Sequence, residues 1–425
     1  MRMVRLVRLH WLYLALLCWA ALWFAVLAPR GGIDWKFFTT GTSLLFGGHP
    51  AVIGGITGGS DAAGPAGLPG PPPAGGLHIF ADYPALQMGP LSYLVTGVLR
   101  HLSPDNGLVA AEVLLQAVGL LIVFLIERIA LLARPKLAGT KAFQLTLLAG
   151  GAVFLVAWSE LAAAFAHLDD GLALLLAVLA VRAAVSPGPA PSSPGPAAVS
   201  SGPAPASPGT ASIWWPPLLS GLCIGLAVDA KPWALVFLPV LLMFGAGRRG
   251  VAAFATAAVT IALAWLPFFI ADPGSVNATR YLIRNEPMSA LRALGVRQDY
   301  TPSWDRTAQA LLGCVLGVLA VWRRRWPAIL LLAGGARIVL DPAAHSYYTP
   351  DVMVGALLWD LLGSRRPFPL WTVLSFAALN LAPHVISSPA AQGTIRLALV
   401  AAFTLATLAL PANPHRAAIN AEIPN

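Results

Sequence analysis

The sequence predicts an all-α fold, a polytopic membrane helix bundle of about twelve transmembrane helices, and three observations lead there. Hydrophobic residues make up 57% of the 425 positions and charged residues only 11%, with a mean hydropathy of +0.72, far from the balance of a soluble domain. Apolar runs long enough to cross about 30 Å of hydrocarbon recur from one end of the chain to the other. The basic residues gather in short clusters at the ends of those runs, where they carry topology information. Residues 1–425 therefore read as a single integral membrane domain.

In chain order the predicted spans are 10–28, 109–132, 142–158, 171–185, 213–230, 232–247, 250–270, 307–322, 327–341, 349–363, 368–386 and 394–411. The first follows Arg2, Arg5 and Arg8 but is long, Trp-rich and without a small-residue cleavage site, so it reads as a retained span and not as a signal peptide. With the N-terminus cytoplasmic, Arg134/Lys136/Lys141, Arg248/Arg249, Arg323/Arg324/Arg325, Arg365/Arg366 and Arg416 all fall on the cytoplasmic side as the chain alternates. Both termini are then cytoplasmic, in a multi-pass protein of the plasma membrane. The net charge of +9 is accounted for by these clusters, and no nucleic-acid partner is implied. Cys18, Cys223 and Cys314 lie in apolar segments without paired spacing, which indicates core residues, neither a disulfide framework nor a metal knuckle.

Three segments lie outside the spans. Residues 29–108 form an external loop whose middle, 54–76, is a Gly/Pro-rich insertion of low complexity, expected to be flexible. Its flanks, Asp34-Trp35-Lys36-Phe37-Phe38 and Ala81-Asp82-Tyr83-Pro84, mix acid, aromatic and apolar residues as interfacial helices do. Residues 186–212 are nearly all Pro, Ala, Ser and Gly, a cytoplasmic linker expected to be disordered. Residues 271–306 are external and rich in arginine, including Arg280, Arg284 and Arg306, against the positive-inside bias.

The remaining ionisable residues sort to the external face. Asp34, flanked by Trp35, Phe37 and Phe38, is held at headgroup depth, where partial desolvation raises a carboxyl pKa and suits a general base; the plainer reading is a solvated loop acid. His167, Asp169 and Asp170 share one tight turn, costly to place at a membrane without a purpose, although one aspartate can serve as a helix cap. Lys231 follows Asp229 at the next external junction, free either to pair with it or to meet an anion. His345, Tyr347 and Tyr348, after Asp341, make another external turn, read as an interfacial belt or as a site.

No nucleotide loop, zinc motif or nucleophile elbow occurs, so convergence on one face is the signal. A carboxylate base with nearby cations suits transfer from a lipid-phosphate donor whose tail stays in the bilayer while its phosphate meets cationic side chains. An acceptor hydroxyl deprotonated by the base attacks the anomeric carbon, with inversion.

Asp34-Trp35, Gly41, Leu45-Phe46-Gly47-Gly48-His49-Pro50 and Asp82-Tyr83-Pro84-Ala85-Leu86 with Gly89-Pro90-Leu91 resemble the first external loop of GT-C polyprenyl-phosphate-sugar-dependent glycosyltransferases. The likeness is closest to the actinobacterial family 87 mannosyltransferases. His167-Leu168-Asp169-Asp170-Gly171, Gly221 to Ala227 leading to Lys231-Pro232, and His345-Ser346-Tyr347-Tyr348 follow in the same order. The resemblance implies that Asp34 is the catalytic base, with the late His-Tyr-Tyr turn and the lysine near sugar or phosphate. It further implies a polyprenyl-phosphate mannose donor, with an arabinosyl or glucosyl donor as alternatives, and a glycolipid or glycan acceptor of the cell envelope. Relatives often carry a Gly-Gln-Asn or Gly-Gln-Asp string where this chain has His167 to Asp170. Candidate donor-binding residues are His167, Asp169, Asp170, Lys231, Arg280, Arg284, His345, Tyr347 and Tyr348. No cofactor is expected, and a divalent metal is left open. The rival from another class is a transporter or flippase of a lipid-linked saccharide, which would show midplane charges and repeated halves; no internal repeat is evident.

Overall fold

The computed structural model describes residues 2–47, 75–185, 211–364, 366 and 368–409. Within them the chain is all-helical, its β-type pairing limited to one bridge, Arg284 with Tyr300. Most of the insertion 54–76, most of the linker 186–212, His49-Pro50, Arg365 and Arg416 lie outside the described residues.

The helices are α1 (Arg2–Leu27), α2 (Trp35–Leu45), α3 (Ile79–Asp82), α4 (Pro90–Leu102), α5 (Gly107–Ala133), α6 (Lys141–Ser159), α7 (Leu168–Ala184) and α8 (Ala211–Ala230). They continue with α9 (Arg248–Ala271), α10 (Ala290–Ala293), α11 (Asp305–Trp322), α12 (Ile329–Leu340), α13 (Thr349–Leu362), α14 (Leu370–Phe376), α15 (Ala382–Val385) and α16 (Pro389–Thr404). A 3₁₀ helix, Pro232–Phe244, joins α8 to α9, and π-helical turns follow α6 at Glu160–Phe165 and α14 at Ala377–Leu381. Six helical stretches, Trp11–Arg30, Gly107–Ala133, Lys141–Phe165, Arg248–Ala271, Asp305–Trp322 and Pro389–Ala409, are long and apolar enough to cross a membrane. Helices of this kind mark a membrane protein.

Burial divides the bundle into layers. Every residue of α12 and of α13 is buried, and most of α7 is as well, so these three form the centre. Around them, α1, α9 and α11 leave whole apolar faces uncovered, with Trp11, Leu14, Leu263, Ile270, Leu311 and Trp322 all exposed, the pattern of helices whose outer solvent is lipid. Close contacts between helices fall at glycines. A Cβ at Gly221 or Gly225 of α8 would lie 2.2 Å from Ala253 O or 2.5 Å from Thr260 Cβ of α9, so this small-xxx-small pair lets the two backbones touch.

The described parts of the segment 29–108 contain the short helices α2 and α3 at the two predicted flanks, and also α4, which the sequence reading did not separate from the loop. The N-terminus of α4 is bolted to the end of α8: Gly89 N donates to Ala230 O at 2.9 Å and Ser92 Oγ to the same oxygen at 3.0 Å. A Cβ on Gly89 would sit 1.7 Å from Asp229 O. Gly89→Ala is therefore expected to destabilise the protein by about 1–3 kcal/mol through overpacking, read as a lower melting temperature in detergent; an unchanged melt would mean that the joint yields freely.

Three expectations are corrected here. Helix α8 already begins at Ala211, inside the predicted linker. Cys18 is exposed on the outer face of α1, while Cys223 is buried and Cys314 half-buried. Lys231 does not pair with Asp229, because residues two apart at a helix end do not face each other; the Asp229 carboxylate turns to the backbone of Leu91.

Candidate active site

The turns at one end of the bundle enclose a cavity of about 560 Å³. Asp34, His167, Lys231, Arg284, His345, Tyr347 and Tyr348, picked from sequence as site residues, all line it. Asp169 and Asp170 stand immediately behind, wholly buried. Arg280 ends the 3₁₀ turn Pro273–Arg280, and its side chain is outside the described residues. Asp82 is not in the wall, and Asp272 is used locally, accepting from Gly274 N at 2.7 Å and lying 3.3 Å from His78 Nδ1.

Asp34 precedes α2 without capping it. Its backbone is fixed from outside: Ile33 N and Asp34 N donate to Ala164 O and Phe165 O, each at 3.0 Å. These carbonyls end the π turn, where they have no partner within the helix. The chain then reverses through Ala166, whose φ of 52° is left-handed, and brings His167 back toward Asp34, with Nε2 3.6 Å from Oδ2. On its other side the imidazole Nδ1 lies 2.5 Å from Asp169 and 3.1 Å from Asp170. The sequence offers helix capping as the plainer role for one aspartate. Asp169 does accept from Asp170 N at 2.8 Å, but both acids mainly hold cations, Asp169 the Lys231 ammonium and Asp170 the Arg337 guanidinium at 2.9 Å.

Burial pushes the Asp34 carboxyl above its ordinary value, and the neighbouring His167 charge pulls it back. Burial alone would depress His167, but Asp169 and Asp170 overcome it and hold the imidazole up at about 9. At neutral pH His167 is thus an imidazolium, set beside the Asp34 carboxyl. Burial lowers His345, with Glu286 and Asp341 opposing. Tyr347 stacks between the two imidazoles, 4.1 Å from His167 and 4.9 Å from His345 between ring centres.

If Asp34 works as a base, His167→Asn removes the charge that pulls its pKa down. The acid limb of the rate profile is then expected to move to higher pH, since Asp34 would protonate earlier as pH falls; an unmoved limb in a pH–rate series would disconnect the two residues.

The sequence reading missed Arg337, which lines the cavity from α12. It binds Asp170 and also Asp351 of α13, and its guanidinium lies over Trp233 at 4.3 Å and Tyr348 at 3.9 Å. Trp233 in turn donates to Asp170 at 2.6 Å. The signal was present as an arginine and an aspartate inside two predicted spans, a combination that marks function by default. Arg306 is a further cation in the wall; its Nη1 is 3.7 Å from Asp341, and its Nη2 is buried without a hydrogen-bond partner.

Opposite these charges the wall is apolar, formed by Phe80, Met88, Trp265, Val236 and Leu282. The roof comes from the segment 271–306, where Thr301 N bonds Ile283 O at 2.8 Å. Glu286 ties it to the His345 turn by accepting from Ala344 N at 3.0 Å. His167, Asp169 and Asp170 bring ligand atoms within 4.8 Å of one another, close enough to grip a metal ion. Lys231 and Arg337 already neutralise the two carboxylates, so the cluster is organised as an ion-pair network. An amphipathic cavity with the Asp34 carboxyl, a tethered imidazolium and several arginines can hold an apolar chain, an anion and a hydroxyl at once. No protein-family profile, curated protein or solved structure matches the chain.

Proposed function

We propose that the protein is a membrane glycosyltransferase that moves a sugar, with mannose the first to test, from a polyprenyl-phosphate donor to a cell-envelope glycolipid or glycan. The observation that carries this is the placement of Asp34 in a cavity that also presents Arg284, Arg306, Arg337 and Lys231, the histidine and tyrosine rings, and an apolar wall. The about twelve predicted spans would set this cavity at the external face of the plasma membrane, within reach of a lipid headgroup.

In the proposed reaction Asp34 accepts the proton of the acceptor hydroxyl. That oxygen bonds to the anomeric carbon as the bond from carbon to phosphate oxygen breaks, and the configuration inverts. The electron pair leaves with the polyprenyl phosphate, whose developing charge faces Arg306, with its unpartnered Nη2, and Arg284 at the exposed rim. Preorganised cations at a developing anion are usually the largest catalytic contribution. The ion pairs of Lys231 and Arg337 leave them to shape the site more than to neutralise the donor. The apolar wall would take the first isoprene units.

The test is conversion of polyprenyl-phosphate mannose to polyprenyl phosphate by membranes carrying the full-length protein, with Asp34→Asn membranes alongside. Movement of the lipid-linked sugar across vesicles without release of polyprenyl phosphate would replace the enzyme by a carrier.

A further inference from the structure

We propose that Glu160 is a positioning residue that sets the place of Asp34 through the π turn which it begins. This rests on Asp34 being the proton acceptor. Glu160 is outside the cavity wall, yet its carboxylate gathers three other segments. Oε1 accepts from Ser346 Oγ at 2.8 Å and lies 3.7 Å from Arg30 Nη1; Oε2 accepts from Asn380 Nδ2 at 2.9 Å. Arg30 belongs to the turn that leads into Asp34, Ser346 sits between His345 and Tyr347, and Asn380 lies in the second π turn.

Two π turns thus meet through one side chain. A π turn is a local insertion that sacrifices regular helical bonding, and such turns concentrate at functional sites. Here the insertion has a visible product: Ala164 O and Phe165 O are presented to Ile33 N and Asp34 N, and Leu161 O to His167 N, all at 3.0 Å. The left-handed Ala166 that follows is a conformation which persists only where its surroundings hold it. Glu160 holds the start of that turn against the one bearing His345 and Tyr347, where the Tyr347 ring stacks on His167 and the His345 ring stacks on Tyr347. Without the carboxylate the π turn can slide, and the carbonyls that place Asp34 slide with it.

Glu160→Ala is expected to lower kcat about 10- to 100-fold, the effect of a misplacement near 1 Å, with the KM for polyprenyl-phosphate mannose unchanged. Glu160→Gln should recover nearly full rate. Its amide oxygen can accept from Ser346, and its amide nitrogen can donate to Asn380 Oδ1, which is buried and unpartnered, once the Asn380 amide turns over. Wild-type kcat in Glu160→Ala, or a Glu160→Gln variant as slow as the alanine one, would overturn the proposal. Should Glu160→Ala fail to accumulate, Ser346→Ala removes one arm and must itself slow kcat; an unchanged rate overturns the proposal equally. A second arm is independent of sugar transfer. Dicyclohexylcarbodiimide attaches to protonated carboxyls in apolar surroundings, and its rate of attachment to Asp34, followed by mass spectrometry on the purified full chain, should change in Glu160→Ala and return in Glu160→Gln. Equal rates in all three proteins overturn the positioning role, whereas an inactive wild type with altered labelling overturns only the glycosyl transfer.

Discussion

Asp34→Asn is expected to reduce mannosyl transfer about 10²- to 10⁴-fold, the usual contribution of a general base, while the protein accumulates in membranes at its normal level. Both halves follow from the geometry. Asparagine has nearly the shape of aspartate but cannot take a proton, so the hydroxyl of the acceptor stays a poor nucleophile. The fold should not notice, because the Asp34 side chain caps no helix and its backbone bond to Phe165 O survives the change. Nor is a charge stranded: His167 keeps Asp169 and Asp170 within 3.1 Å. The measurement is initial-rate release of polyprenyl phosphate, normalised to protein detected in the same membranes. Full activity in Asp34→Asn would remove the residue from the chemistry, and a collapse in abundance would recast it as structural.

Much of this architecture could be read from hydropathy, because lipid-facing and protein-facing apolar helices look alike in a window average. Residues 250–270 and 307–322 were placed as spans, and α9 and α11 lie there with exposed apolar faces. Residues 327–341 and 349–363 look the same in sequence, yet α12 and α13 are enclosed by protein on every side. At 1.5 Å per residue, α12 reaches only about 18 Å, short of a bilayer's hydrocarbon core. The segment Pro232–Phe244 shows the opposite device. As a 3₁₀ helix rising about 2 Å per residue, its 13 residues reach about 26 Å. No periodicity rule chooses between these forms.

The polar turns were legible for a different reason. A charge in a loop between apolar runs stands out, so Asp34, His167, Lys231 and His345 could be grouped before any coordinates. Arg337 and Asp351 were averaged away by the leucines around them. Lys231 was offered its neighbour in sequence, Asp229, when its partner in space, Asp169, is 62 positions away. The π turns at Glu160–Phe165 and Ala377–Leu381 left no trace, since Glu160 and Asn380 meet only in the folded chain, a tertiary fact.

The largest expected loss of stability comes from Arg337→Leu. The guanidinium is 3% exposed and joins Asp170, Asp351 and, more loosely, Asp341 at 3.9 Å. Removing one partner of a buried ion pair costs about 3–5 kcal/mol, because the charges left behind have neither water nor a counter-ion. Here Asp351 would be left without a cation, while Asp170 keeps the His167 imidazolium at 3.1 Å, in a fold whose total margin is on the order of 5–15 kcal/mol. Little folded Arg337→Leu protein should survive extraction into detergent, read as loss of the monodisperse peak in size-exclusion chromatography. Arg337→Lys should fall between the two, since one ammonium cannot fork across both acids and lie flat on Trp233 and Tyr348 as a planar guanidinium does. The decisive variant is the double replacement Arg337→Leu with Asp351→Asn. If the loss is electrostatic, cancelling one stranded charge must return part of the melting temperature. If the double variant is no better than the single, the arginine acts mainly through its packing between Trp233 and Tyr348, and the ion network is secondary.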